Sequence, residues 1–334
     1  MADSPWTTPG LPPPPEVSKA TIPMAGYLVD VYGLTELPPS PAPVTCLWLL
    51  HPRTRTRARM HDIASRVVSA YRSSPSAQRR GLVALAFDMP NHGSRVVDEA
   101  ANGAWAAGNE RHALDMLGMV KGGRTDMALL MDLVAGYLER NEVDAHVVLG
   151  WSLGGHGAWQ AWFGEDRIDA AVVVVGCPDQ MGLMEARFAE CPFDCGGAPF
   201  LGSRFFPPSL VQACLQHDPR GILFGTGPLP ALPLDAAEQA RLRAILDRRI
   251  RGKKLLACSG GADALVPYAR SEALTALLRD AAGGWYADGG VVIDDRVYEG
   301  VGHRFSKDMV RDAVEWLVEV VGEGPRERGR KAKM

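Results

Sequence analysis

The chain lacks any stretch near the roughly 18 continuous apolar residues of a membrane helix, so a helical span is not expected. It also lacks an excess of either charge: 36 Lys and Arg stand against 39 Asp and Glu, a formal net charge of −3. A balance this even gives no broad pull toward nucleic acid or an anionic membrane, and neither is expected as a partner. No Walker pattern G-x-x-x-x-G-K-[ST] occurs, and no G-x-G-x-x-G opens the first βα unit, which removes the phosphate cradles a nucleotide enzyme needs. The six cysteines (46, 177, 191, 195, 214 and 258) form no C-x-x-C pair and no Cys/His spacing suited to zinc. No metal and no organic cofactor is therefore expected. Cys46, Cys177 and Cys258 lie in or beside apolar runs and read as buried small hydrophobes. Cys191 and Cys195 fall in a loop-like stretch and would pair only under oxidation. The start, MADSPWTTPGLPPPPE, lacks the basic opening and apolar run of a secretory signal. The expected address is cytoplasmic.

What the chain does have is 46% hydrophobic residues over 334 positions, enough for a sizeable core. Residues 1–23 are rich in proline and read as an N-terminal arm; 323–334 read as a basic, solvated tail carrying Arg326, Arg328, Arg330, Lys331 and Lys333. Between them, short apolar runs alternate with amphipathic segments of helical length. Strands are expected at Gly26–Tyr32, Val44–His51, Leu82–Asp88, His146–Gly150, Ala171–Gly176, Lys254–Ser259 and Val291–Tyr298. Helices are expected around 59–72, 122–140, 153–163, 268–281 and from Ser306 onward. The last shows a stripe of Met309, Val310, Ala313, Val314, Leu317, Val318 and Val321. This alternation predicts a mostly parallel sheet with helices on both faces. Residues 178–252 break the rhythm, with one clear helix at 236–251 headed by Asp235 and Glu238 in a capping-box pattern. A core formed by 24–177 and 253–322, with 178–252 inserted as a cap or lid, is the expected organisation.

Residues 146–159 read HVVLGWSLGGHGAW. Gly150-Trp151-Ser152-Leu153-Gly154 fits G-x-S-x-G, and an apolar strand before it and a helix after it supply the setting that pattern requires. A serine on so sharp a turn stands clear of the sheet, and the flanking glycines remove Cβ atoms that would collide across it. In a chain with 36 glycines the pentapeptide alone is weak, and the competing reading is a glycine-rich turn with a buried serine.

A serine hydroxyl needs a base within hydrogen-bond reach. Of eight histidines, His303 sits in a loop between the last expected strand and the last helix, at the sheet edge that carries Ser152. His51 ends a strand, His92 lies in a turn, His156 is one turn into a helix, and the rest have no motif around them. Asp263, in Ser-Gly-Gly-Ala-Asp-Ala-Leu-Val-Pro, lies 40 residues before His303 and 111 after Ser152, which suits it to orient the imidazole. Asp179 is the fallback acid, and a helix N-cap is the alternative role for Asp263.

With these residues in hand, the chain resembles the α/β-hydrolase superfamily from about residue 26 to 321. Leu49-Leu50-His51-Pro52 is similar to the strand end bearing that family's oxyanion loop, usually His-Gly. Asp88-Met89-Pro90-Asn91-His92-Gly93-Ser94 resembles its D-x-x-x-H-G-x-S turn, and the elbow and the Asp263/His303 pair complete the match. The resemblance implies an eight-stranded, mostly parallel sheet with a cap where 178–252 falls. It also implies an oxyanion hole built from the backbone N–H groups of Leu153 and the loop after His51. Pro52 stands where the family usually has glycine and has no N–H, so Arg53 becomes the expected donor. Arg53, Arg55, Arg57 and Arg59 read either as a solvated helix entry or as a preference for acidic substrates. The cap residues Phe193, Phe200, Leu201, Phe205, Phe206 and Leu210 read either as cap core or as a hydrophobic substrate surface.

The expected chemistry is hydrolysis of an ester-like carbonyl, a carboxylic ester first, through a Ser152–His303–Asp263 triad and an acyl-enzyme. Thioester, lactone and peptide substrates fit the same triad, and a non-catalytic ligand-binding protein on the same scaffold is the alternative of a different class. The oligomeric state is left open.

Overall fold

The structure, a computed structural model, describes residues 7–326. Its centre is one eight-stranded sheet in the order β1-β2-β4-β3-β5-β6-β7-β8. The strands are β1 (Lys19–Met24), β2 (Tyr27–Tyr32), β3 (Val44–Leu50), β4 (Gly81–Phe87), β5 (Val143–Trp151), β6 (Ile168–Val174), β7 (Lys254–Gly260) and β8 (Val292–Tyr298). From β4 across to β8 the pairs are parallel; β1 and β2 are joined antiparallel, and β2 pairs antiparallel with β4. Every residue of β3, β4 and β6 is buried, as unbroken apolar runs require when both faces are covered.

Helices supply the cover. One face carries α1 (His61–Arg72) and α9 (Lys307–Glu323), whose buried Met309, Ala313, Leu317 and Val321 pack with Ile63, Val67 and Tyr71 of α1. Ser306 caps α9, its hydroxyl accepting from the Met309 N–H at 3.3 Å. The other face carries α2 (His112–Tyr137), α3 (Leu153–Gly164) and α8 (Glu272–Gly283).

The segment between β6 and β7 holds α4 (Gln180–Ala189), α5 (Pro208–His217), α6 (Pro219–Phe224) and α7 (Ala236–Arg249), four helices where one was expected. Two of the extra three are short or proline-led, which hides their period in the sequence. Asp235 does cap α7, accepting from the Glu238 N–H at 2.8 Å. Phe200, Phe205, Phe206 and Leu210 are buried, and the phenylalanines stack on one another, on Phe188 and, from α2's side, on Trp105. They form the core of this segment rather than an open apolar surface.

Three further expectations are corrected. The arm of residues 1–23 includes most of β1, whose alternating exposure marks a half-solvated edge strand able to accept Pro23. Helix α2 starts ten residues earlier than its period suggested, because Gly118, Gly122 and Gly123 weaken the pattern; Pro90 and Met89 side chains press against the last two. The basic tail lies outside the described residues from 327 on. Its first member, Arg326, is not solvated but donates to the carbonyls of Arg251 and Asp166, both at 2.6 Å. All six cysteines are free thiols, with Cys46, Cys177, Cys214 and Cys258 buried. No helix among the described residues is long and apolar enough to cross a membrane.

Candidate active site

The C-terminal ends of parallel strands share one edge of the sheet, the usual seat of ligands in such folds. Ser152 follows β5, Asp263 follows β7, and His303 follows β8. The Ser152 Oγ lies 2.7 Å from His303 Nε2, and His303 Nδ1 lies 2.8 Å from Asp263 Oδ2. Three residues far apart in sequence thus form one hydrogen-bonded chain. Ser152 and His303 are half-buried, open enough for a substrate to reach, while the Asp263 carboxylate is fully covered. Its second oxygen, Oδ1, accepts the N–H groups of Leu265 and Val266, each at 2.9 Å. Asp263 is not the helix N-cap weighed as its alternative role, since Pro267 holds that place before Tyr268–Arg270; it closes the turn that precedes it. The fallback acid Asp179 is elsewhere, capping α4 through the Gly182 N–H at 2.9 Å.

Backbone geometry explains why this sequence converges here. Ser152 has φ 55 and ψ −111, a conformation few L-residues hold, of the kind that costs about 1–3 kcal/mol and persists only when the surroundings fix it. They do so by close approach. A Cβ at Gly150 would stand 1.9 Å from the Gly154 carbonyl oxygen, and one at Gly154 would stand 2.0 Å from that of Leu50. Gly154→Ala should accordingly destabilise the protein by about 3 kcal/mol, the cost of overpacking against rigid backbone, read as a lowered urea midpoint. An unchanged midpoint would mean the turn can relax. Gly260 plays the same part for the loops that carry Asp263 and His303: a Cβ there would meet the Val301 carbonyl oxygen at 2.4 Å. Its absence lets the two loops zip together, with the Gly261 N–H on the Tyr298 carbonyl at 2.9 Å and the Ala262 N–H on that of Val301 at 3.0 Å.

The loop after β3 is held by His51. Its Nδ1–H donates to the Pro52 carbonyl at 2.8 Å and its Nε2 accepts the Met89 N–H at 3.0 Å. The Pro52 carbonyl also accepts the Arg55 N–H at 3.2 Å, closing a turn in which Thr54 takes a positive φ of 61. A β-branched residue there is a backbone outlier. Among the described residues, the backbone N–H groups of Leu153 and Arg53 have no partner.

The following turn is a scaffold. Asp88 accepts from the Arg57 N–H at 2.8 Å, the Ser94 N–H at 2.9 Å and the Ser94 hydroxyl at 2.8 Å. Burial works against its charge, but these bonds and the Arg57 guanidinium outweigh that and hold its carboxyl below the usual range. A side chain at Gly93 would strike that carboxylate at 2.3 Å.

The four arginines read as a solvated helix entry or as a preference for acidic substrates are four different things. Arg57 is paired with Asp30 and Asp88, and Arg59 lies over the Trp151 ring at 4.6 Å. Arg55 is exposed, and Arg53 is half-buried with Nη1 donating to the Asn102 carbonyl at 3.1 Å. A fifth, Arg187 of α4, went unread in the sequence. It donates to the Leu265 carbonyl at 2.9 Å, next to the acid loop. The apolar spacing of Met181, Met184 and Phe188 around it is the signal that marks its helix.

Burial keeps three histidines neutral. It pushes the imidazole of His51 down to about 4 and those of His112 and His156 to about 3, with nearby Arg53 and Arg187 adding repulsion for the last two. Their unfolded forms take protons near pH 6.5, so the stability they contribute is complete above that pH and is lost as pH falls toward 3–4. Buried Asp218, whose carboxyl is pushed up, contributes with the opposite sign. The net of at least two protons predicts a loss of about 2.7 kcal/mol per pH unit below pH 6. Urea unfolding between pH 7 and 5 checks this; a flat profile would contradict it.

No family model matches the chain, and no curated protein matches it. Solved structures do. The Thermus thermophilus protein TT1662 superposes with a TM-score of 0.55 at 19% identity, covering 92% of this chain and 99% of that one. An acylaminoacyl peptidase of Pyrococcus horikoshii gives 0.51 at 12% identity, covering 97% of this chain and 44% of that one, so this chain spans under half of the peptidase. With the strand order, these likenesses show the architecture: the chain has the α/β-hydrolase fold.

Proposed function

We propose that this α/β-hydrolase-fold chain is a serine hydrolase that cleaves carboxylic esters through an acyl-enzyme. The observation that carries the reading is the continuous hydrogen-bonded line from Ser152 Oγ through His303 to Asp263, at 2.7 and 2.8 Å. Ser152 Oγ attacks the ester carbonyl carbon while His303 Nε2 takes its proton. Asp263 holds the proton on Nδ1 and stabilises the imidazolium. The oxyanion of the tetrahedral intermediate receives the N–H groups of Leu153 and Arg53, whose lack of partners supports that role. The C–O bond then breaks, the leaving alcohol takes the proton from His303, and water, deprotonated by the same imidazole, releases the acid from Ser152.

On this reading His51 is a positioning residue, since it fixes Pro52 and with it the direction of the Arg53 N–H. Helices α4–α7 act as a cap over the site, resting through Phe188 and Phe200 on Trp105. The test is rapid-mixing hydrolysis of p-nitrophenyl butyrate. The expected result is a burst of one nitrophenolate per protein followed by slower turnover, as deacylation lags acylation. Folded protein that releases no nitrophenolate above buffer, from this ester or from thioester and lactone analogues, would overturn the proposal.

A further inference from the structure

Among the described residues, the guanidinium groups of Arg53 and Arg187 have no carboxylate partner. Strands β3 and β5 run side by side with Leu50 opposite Gly150, so Arg53 and Ser152 leave the sheet as neighbours. Arg187 reaches the same place from α4, through the chain Arg187 to the Leu265 carbonyl, Leu265 N–H to Asp263, and Asp263 to His303. Both arginines are half-buried, and each donates only to backbone carbonyls, of Asn102 and Leu265 respectively. Of the other half-buried arginines, Arg57, Arg66, Arg80 and Arg95 sit on carboxylates, while Arg124 donates to the Gly164 carbonyl; what sets Arg53 and Arg187 apart is that they lie close enough to repel each other. Holding a charge out of water without a counter-ion is costly, and a site that does so usually awaits one.

The electrostatics agree. Desolvation lowers Arg187 to about 10, and Arg53 repels it further. The same Arg53 disfavours charge on His92, His112 and His156. Asp263 is the one carboxylate that attracts Arg187, and its oxygens are already taken by His303, Leu265 and Val266. The two guanidinium groups thus bring two positive charges against the one negative charge of Asp263. The set is short of one anion.

We infer that Arg53 and Arg187 form an anion subsite beside Ser152, and that the substrate is an ester carrying a carboxylate on the part seated there. This rests on the serine-hydrolase reading above. A carboxylate supplies the single negative charge that is missing, and its planar oxygen pair matches the guanidinium fork. A phosphate monoester, a dianion, would overfill the balance. Because Arg187 belongs to the segment between β6 and β7, the inference also gives that segment a task in selecting substrates by charge.

Two measurements test it together. The first is kcat/KM for mono-p-nitrophenyl glutarate divided by that for p-nitrophenyl valerate. The second is calorimetric binding of glutarate and of inorganic phosphate to Ser152→Ala protein, which needs no turnover. The expected ratio is at least about tenfold in favour of the glutarate ester, the worth of one charge-assisted contact. In Arg187→Gln it should fall about tenfold, and Arg187→Lys should recover part of it. Glutarate should bind Ser152→Ala more tightly than phosphate and weaken about tenfold when Arg187→Gln is added. Arg53→Gln, which keeps its backbone N–H, serves if Arg187→Gln fails to fold. Hydrolysis of both esters with a ratio near one and no glutarate binding would overturn the subsite and leave the hydrolase reading standing. Tighter binding of phosphate would overturn the carboxylate assignment. Arginine-dependent glutarate binding without hydrolysis of either ester would uphold the subsite and overturn the reaction.

Discussion

Ser152→Ala is expected to lower turnover of p-nitrophenyl butyrate by a factor on the order of 10⁶, with the fold retained. The size follows from what the hydroxyl does. It is the atom that would bond to the substrate, and among the described residues no other hydroxyl or thiol is hydrogen-bonded to His303; the buried Cys177 thiol lies instead 3.5 Å from the Asp179 and Arg270 carbonyls. The fold should survive because, among the described residues, His303 is the one partner of the Ser152 side chain, while the unusual backbone of the turn is fixed by other atoms. The Ser152 N–H donates to the Val174 carbonyl at 2.9 Å, and its carbonyl accepts the His156 N–H at 3.0 Å. Circular dichroism and thermal unfolding should therefore match the wild type. Residual turnover above water would come from the partnerless N–H groups of Leu153 and Arg53. A fall of less than about a hundredfold would show that another group attacks, since losing one oxyanion donor alone costs about 10²–10³.

Asp263→Asn should cost about 10⁴ in turnover, again without unfolding the protein. The hydrogen bonds around the carboxylate dictate how asparagine must sit. Oδ1 accepts two backbone N–H groups, from Leu265 and Val266, so the amide oxygen has to occupy that place. The amide NH₂ then faces His303 Nδ1 and donates to it. The imidazole is forced to carry its proton on Nε2, the nitrogen that meets Ser152 Oγ, and cannot accept the serine proton. The substituted residue is isosteric and keeps its turn, so the melting temperature should move little while kcat collapses. Near-wild-type turnover would remove Asp263 from the mechanism. Asp179 could not simply replace it, being committed to the N-terminus of α4 and lying 3.6 Å from Arg220.

Much of this was legible in the residues, and the reasons differ by element. The central strands were readable because burial on both faces demands long apolar runs such as Val44–Leu50; β6, expected at Ala171–Gly176, begins three residues earlier, where Asp169 interrupts the run. The turn at Ser152 was readable because its geometry admits only glycine at 150 and 154. Strand β1 was hidden by its edge position: Lys19, Thr21 and Pro23 face solvent, and only alternate residues carry the signal. The first ten residues of α2 were hidden by glycines that serve packing against Met89 and Pro90 rather than propensity. Arg53 and Arg187 illustrate the deeper limit. A sequence shows that an arginine is present; whether it is paired depends on carboxylates brought near by the fold. Arg57 found Asp30 and Asp88, residues 27 and 31 positions away, while Arg53, four residues earlier, found none.

The central claim is that the Ser152 hydroxyl is made nucleophilic by His303. Intact-mass spectrometry after exposure to a fluorophosphonate measures it most directly, because the reagent requires an activated serine and no knowledge of the substrate. The predicted result is one adduct per chain, mapped to the peptide bearing Ser152, absent from Ser152→Ala and slowed by orders of magnitude in His303→Ala. Folded wild-type protein that gains no mass, or labels equally in Ser152→Ala, would contradict it.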